Sequence, residues 1–296
     1  MMQNIIIDTD IGDDIDDALA LALSLNSNEF NILGISTVFK NTTLRTKLLN
    51  NLLKVYKRED IPVVSGIGKP IVNNVNTDEI PCQCTDLTCH NEDINTIVTD
   101  FYSEILSKNK AIILAIGPLT NIAKIIKEAP YVKKNIEKIV LMGGMYSRAY
   151  SEWNIRCDPE AAKIVFNSGI PIVMVGLDVT LKCKTSQEDL QKLYSTHNVR
   201  TYYLSKLLKM WLNSPGANIS APILHDPLAL SYIINPNFLK TRKTKIDIEC
   251  TGDLTRGVTV DCADVFTGYT ESFNCEVCTD VDVKAFHDFF MKTVLK

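Results

Sequence analysis

The chain has 296 residues, 46% of them hydrophobic, and a formal net charge of −4 at pH 7. That is enough apolar material for one large α/β domain or two small ones. The acidic balance, with no basic stripe interleaved with aromatics, argues against nucleic acid as a partner. No stretch is long and apolar enough to span a bilayer, so no membrane role is expected. The N-terminus reads as a strand rather than a signal peptide, and nine cysteines without a secretion signal point to a reducing, cytoplasmic compartment with free thiols. Cys82-x-Cys84 with Cys89-His90 suits the spacing of no common zinc module, and Cys275-x-x-Cys278 is a lone pair.

In chain order, Ile5-Ile6-Ile7 is a buried strand that runs straight into Asp8, Asp10, Asp13, Asp14, Asp16 and Asp17 around Gly12. A helix then opens through Ala18, Leu19, Ala22 and Leu23. Residues 31–38 form a second strand, followed by a helix capped at Thr42 or Thr43 and running to about Tyr56. A short third strand spans 62–66, and 69–90 is a polar loop. Helix 93–106, strand 111–116, a helix from Leu119 to Pro130 and strand 136–142 come next. Asp158-Pro159-Glu160 starts a helix that Gly169 ends, ahead of strand 172–177. Residues 185–219 are helical and then broken by glycine and proline, and carry Tyr202, Tyr203 and Trp211. Ordinary packing is one reading of that segment; a helical lid over 185–222 whose aromatics meet a ligand is the other. Strands at 244–250 and 258–262, antiparallel as an option, and an amphipathic helix at 283–294 complete the chain. Alternating strands and helices, with no repeat or low-complexity linker, imply a single α/β domain over 1–296 with an open, mostly parallel, Rossmann-like sheet flanked by helices.

The acidic stretch carries the chemistry. Asp8 and Asp10 are two apart and point to the same side if strand geometry persists. Asp13 or Asp14 serves as a helix cap, and Asp16 and Asp17 meet the positive end of the helix dipole. So many anions at one strand end need a counter-ion, and calcium tolerates irregular oxygen geometry better than magnesium. An EF-hand loop is excluded, because Gly12 falls fifth from Asp8 and no Glu stands at the twelfth place. A haloacid-dehalogenase-type phosphatase expects Thr or Val where Gly12 stands.

In an open parallel sheet, ligands sit beyond the carboxyl ends of the strands. Asp10, Asn41, Thr120, Glu152-Trp153-Asn154 and His225-Asp226-Pro227 all fall at such positions. Taken singly, Asn41 reads as a helix cap, Thr120 as packing at a helix start and His225 as structural; their shared location is the signal. The same segments resemble the inosine-uridine nucleoside hydrolase family. Asp8-Thr9-Asp10-Ile11-Gly12 with Asp16-Asp17-Ala18 is similar to its N-terminal signature, although Asp13, Asp14 and Ile15 intervene. Gly117-Pro118-Leu119-Thr120-Asn121, Leu141-Met142-Gly143-Gly144, Glu152-Trp153-Asn154 ahead of Asp158 to Ala162, and His225-Asp226-Pro227 resemble its later motifs in order. The resemblance covers nearly the whole chain.

It implies hydrolysis of the N-glycosidic bond of ribonucleosides in nucleoside salvage, by a homodimer or homotetramer. Calcium would be held by Asp10, Asp17, the Thr120 carbonyl and Asp226. A calcium-activated water would lose its proton to Asp10 as general base. Asp16, Asn41, Met142, Glu152, Trp153 and Asn154 would contact the substrate. His225 is the candidate acid for the leaving base, with stacking by Trp153, Tyr202 or Tyr203 as the alternative. The chain departs from the family at 82–91, where His90 is the lone histidine, and at 145–151, which lacks an asparagine; recognition of the base and the 5′-hydroxyl is left open. Two other functions stand against this one: a magnesium phosphohydrolase with Asp8 as nucleophile, and a non-catalytic nucleoside or ribose binder.

Overall fold

The computed structural model describes residues 2–87, 97–215, 221–263 and 272–296. The first half of the chain runs β1 (Gln3–Thr9), α1 (Asp16–Asn26), β2 (Phe30–Thr37), α2 (Thr42–Tyr56), β3 (Val63–Ser65), α3 (Val98–Lys108), β4 (Ala111–Ala115), α4 (Thr120–Glu128) and β5 (Ile136–Met142). It continues through α5 (Trp153–Cys157), α6 (Pro159–Phe166), β6 (Ile172–Val175), α7 (Leu177–Thr180), α8 (Gln187–Ser195), α9 (Val199–Leu212) and α10 (His225–Ile234). Strands β7 (Leu239–Thr244), β8 (Ile246–Ile248), β9 (Thr259–Asp261) and β10 (Cys275–Val281) precede α11 (Val283–Val294).

Eight strands form one sheet in the order β3-β2-β1-β4-β5-β6-β10-β7. All neighbours pair in parallel except the edge strand β7, which runs antiparallel to β10. This is the open, mostly parallel α/β sheet that the strand–helix alternation predicts. The order reverses between β1 and β4, so the crevice at their carboxyl ends is the topological switch point where such sheets bind ligands. Side chains of β1 alternate between the two faces. Ile5 and Ile7 enter one core with α1, α2 and α10, while Ile6 enters the other with α3, α4 and α6. Each fully buried isoleucine stabilises the fold by roughly 1.5–3 kcal/mol.

Helix α1 is buried almost all round, from Asp16 to Ser24, because α9, α10 and α11 pack over it. A helix apolar on every side from Ala18 to Leu23 belongs in an interior, and here its acidic N-terminus is carried inside with it.

Several elements differ from the sequence reading. The stretch 244–250 is not one strand: Thr244 closes β7, and β8 forms a separate antiparallel pair with β9. Strand β10, which enters the main sheet, falls where the sequence suggested only a cysteine pair; Cys275 and Cys278 enter opposite cores, so they do not share a face. Helix α3 begins at Val98, and residues 88–96, including Cys89 and His90, lie outside the described residues. The eight described cysteines are free thiols. Among the described residues, no helix is long and apolar enough to cross a membrane.

Candidate active site

A cavity of about 680 Å³ opens at the switch point. Its floor is acidic: Asp10, Asp13, Asp14, Asp16, Asp17, Glu152 and Asp226 line it, with His225, Met142 and Asn154. Lys40, Glu79, Ile80, Tyr150, Trp153, Trp211, Ser214 and Pro215 build the walls and rim. Asp16 and Asp17 enter at the N-terminus of α1, and Asp226 in the first turn of α10. Carboxylate oxygens of these three buried residues lie within 4.8 Å of one another. Burial holds all three carboxyls well above their usual range, and the neighbouring carboxylates add to the shift. Such a set can hold a metal ion, whose charge would relieve the repulsion.

Burial also raises Asp10, to about 7, against the lowering effect of the Arg45 guanidinium. Two features fix this residue. A Cβ on Gly117 would stand 2.9 Å from both the amide and Oδ1 of Asp10, so only glycine admits the β4–α4 turn there. On the other side, Arg45 donates to the Asp10 carbonyl. Thr9, last in β1, donates to Asp17 at 2.5 Å and so ties the strand end to α1.

Asp8 goes elsewhere. The expectation that Asp8 and Asp10 share a side fails because β1 ends at Thr9 and the chain turns. Asp8 keeps to the face of Ile6, where Ser36 donates to it at 2.5 Å and Asn121 at 2.7 Å. It is fully buried and lies outside the cavity lining, which removes it as a nucleophile for a phosphohydrolase. Neither Asp13 nor Asp14 caps α1, contrary to the sequence expectation: its N-cap position is Ile15, with no side-chain cap hydrogen bond. Asp14 accepts from the Ile15 amide at 2.6 Å, while Asp13 pairs with Arg45 at 2.7 Å.

The remaining predicted residues divide into two groups. Glu152 caps α5, accepting from Asn154 through Oε1 and from Gly144 and Ile155 through Oε2. Asn154 donates to the Met142 carbonyl at 3.0 Å and lines the cavity. Trp153 stands at the rim, 48% exposed, with the Phe39 ring edge-on at 6.5 Å and the Arg156 guanidinium over its face at 5.0 Å. His225 hydrogen-bonds Thr180 through Nδ1 at 2.7 Å, and burial lowers its pKa to about 4, so the ring is neutral at pH 7. Glu152, Asn154, Met142, Trp153 and His225 all line the cavity or its rim.

Asn41 and Thr120 do not. The Asn41 side chain accepts from Leu44 as the cap of α2, and the Thr120 hydroxyl donates to Asp158 at 2.7 Å. Tyr202 is 75% exposed on the outer surface and Tyr203 packs against the core; of the aromatics on 185–222, Trp211 alone is in the lining. Sequence reasoning did not find Arg45, nor the Lys40–Glu79 ion pair, 2.7 Å, at the mouth. The signal for Arg45 was present: it shares the buried stripe of α2 with Leu48, Leu49 and Leu52, an unusual place for a cation.

A model of the inosine-uridine preferring nucleoside hydrolase family matches residues 5–288. The pyrimidine-specific ribonucleoside hydrolase RihA of Shewanella woodyi is 31% identical, over 99% of this chain and 98% of its own length. Among solved structures, a plant nucleoside hydrolase superposes with a TM-score of 0.86 at 25% identity, covering 100% of this chain and 99% of that one. A purine-preferring ribonucleoside hydrolase from Gardnerella vaginalis superposes with a TM-score of 0.82 at 28% identity, covering 99% and 98%.

Proposed function

From membership of the inosine-uridine preferring nucleoside hydrolase family, to which this chain belongs, we propose how its residues divide the work of catalysis. The activity is hydrolysis of ribonucleosides to free base and ribose, which supersedes both the phosphohydrolase and the binding-only readings. The observation that carries the site assignment is the buried carboxylate trio beside Asp10 on the cavity floor.

The donor set suits a hard cation: all oxygen, mutually repelling and buried. Calcium is our choice, held by Asp10, Asp17 and Asp226 with Asp16 close enough to share in it; the resemblance adds the carbonyl of Thr120, a residue at the start of α4 outside the cavity lining. When bound, such a cation acidifies water and takes up a vicinal diol. Asp10 accepts the proton of the attacking water, held for that task by Gly117 and by Arg45. The ribose hydroxyls lie against Asp16, Glu152 through Oε1 and Asn154 through Oδ1, with Met142 beneath the sugar. As bond cleavage proceeds, the acidic floor stabilises positive charge on the ribose, as carboxylates do for glycosidases. Asn41, engaged as a helix cap, is left out of the binding set.

His225 serves the leaving base as a neutral ring. With the Thr180 hydroxyl donating to Nδ1, the Nε2–H hydrogen-bonds the departing base and steadies its developing negative charge while the base takes its proton from water; Trp153 lies at the rim for stacking. The floor rejects 2′-deoxyribose, because loss of one hydroxyl leaves buried polar groups unpaired. We extend the proposal to a homo-oligomer in the cytoplasm, supported by the resemblance and by the free thiols, with the end of α9 meeting the cavity through Trp211.

A panel of ribonucleosides, assayed for free base and reducing sugar with and without calcium, tests this reading. Base release that chelation abolishes and calcium restores is expected. Undiminished release from the chelated, dialysed enzyme would remove the metal from the scheme.

A further inference from the structure

The cavity floor is acidic, and one buried guanidinium packs directly beneath it. Arg45 rises from α2 beneath the acidic loop and is fully buried. Its Nη1 donates to the carbonyls of Asp10 and of Ile11, the latter at 2.9 Å. Its Nη2 meets Asp13 at 2.7 Å, and its Nε donates to the Phe39 carbonyl at 2.8 Å. Phe39 and Lys40 form an elbow at φ 68° and 55°, left-handed backbone that non-glycine residues rarely adopt. The elbow bears on the site: the Phe39 ring braces Trp153, and Lys40 lines the cavity.

We propose that Arg45 is a positioning residue for the metal site, an internal counter-charge that keeps the loop 10–13 assembled against carboxylate repulsion and locks it to the 39–40 elbow. This rests on the metal-dependent reading above and goes beyond it. Two physical arguments support it. Guanidinium keeps its charge under burial, where an ammonium loses it more readily, and its planar fork satisfies acceptors on two segments at once. Fixed dipoles and charges that need no rearrangement are what a preorganised site requires.

A purely structural arginine would affect melting and nothing else, so the test separates those outcomes. Arg45→Lys keeps a cation and loses the fork; Asp13→Ala removes the partner of one arm while leaving Arg45 in place. Calcium is titrated calorimetrically into each apo protein without substrate, and kcat and KM are measured at saturating calcium. Folding is followed by circular dichroism. We expect Arg45→Lys to weaken calcium binding roughly 10–100-fold and to lower kcat by a similar factor, the range for groups that orient metal ligands. KM should change little, and Asp13→Ala should move both quantities in the same direction by less.

A folded Arg45→Lys protein with wild-type calcium affinity and kcat overturns the proposal, whatever its melting temperature. If Arg45→Lys does not fold, Asp13→Ala decides: unaltered calcium affinity in that variant overturns it. If the wild-type protein binds calcium but frees no base from any ribonucleoside, the hydrolytic assignment fails while the titration still judges Arg45.

Discussion

The floor and the rim of the cavity are built differently. On the floor, Asp10, Asp16, Asp17, Glu152, Asn154 and Asp226 are all buried and most are held by backbone or side-chain hydrogen bonds. At the rim, Glu79, Ile80, Tyr150 and Trp153 come from loops or a short helix and stand in solvent, and Lys40 reaches across to Glu79. Rigid placement matters where a bond is broken, because small displacements of reacting groups cost large factors in rate. Recognition of different bases needs the opposite, a wall that tolerates variation on a fixed scaffold. The comparison predicts that floor substitutions act on kcat and rim substitutions on KM.

The largest effect belongs to the floor. Asp10→Ala should cut kcat by roughly 10²–10⁴-fold, the usual loss for a general base, with circular dichroism unchanged. Near-normal turnover in that variant would reject Asp10 as the proton acceptor. His225→Ala comes next, because the ring stands between floor and wall. Roughly 10²-fold is expected on inosine, and much less on a ribonucleoside with a good leaving group, which needs no help to depart. Equal losses on both substrates would take His225 out of leaving-group activation.

The same division explains what could be read from the sequence. The floor was legible in part because Asp10 directly follows β1 and because apolar runs such as 136–142 announce strands whose carboxyl ends face the sheet opening, with Glu152 and Asn154 beyond β5. What failed depends on tertiary partners. Asp8 and Asp10 were expected together, but β1 stops at Thr9, whose hydroxyl binds Asp17. Strand β7, Leu-Lys-Thr-Arg-Lys-Thr, is an edge strand whose charges mask the pattern, and the cysteines of β10 were read as free thiols without the strand that carries them into the core. Asn41 has the right position for a ligand contact, yet its own helix uses it. For Arg45, helical spacing shows that it faces inward; only the fold shows which carbonyls it meets.

At the rim, Trp153→Ala should raise KM by roughly threefold to tenfold, the worth of one aromatic contact, with kcat nearly unchanged. Arg156 and Phe39 hold the ring in place without burying it, so its removal disturbs little else. A collapse of kcat at constant KM would mean that the ring orients the reacting sugar, and the boundary between floor and rim would have to move inward.

The smallest effect should come from a carboxylate just behind that boundary. Asp8 is as buried as Asp10, and burial raises both to about 7, yet one faces the cavity and the other the core. In Asp8→Asn the retained oxygen still accepts from Ser36 and Asn121, while the new amide takes the place of Oδ2, which has no partner among the described residues. One unpaired buried atom is exchanged for another, so stability should change by no more than about 1 kcal/mol. Turnover should stay within about threefold of wild type, since the substituted atom touches nothing that reacts. A folded Asp8→Asn protein as inactive as Asp10→Ala would show that the core face of β1 takes part in the reaction. Residence at the same strand end would then count for more than the direction in which each carboxylate points.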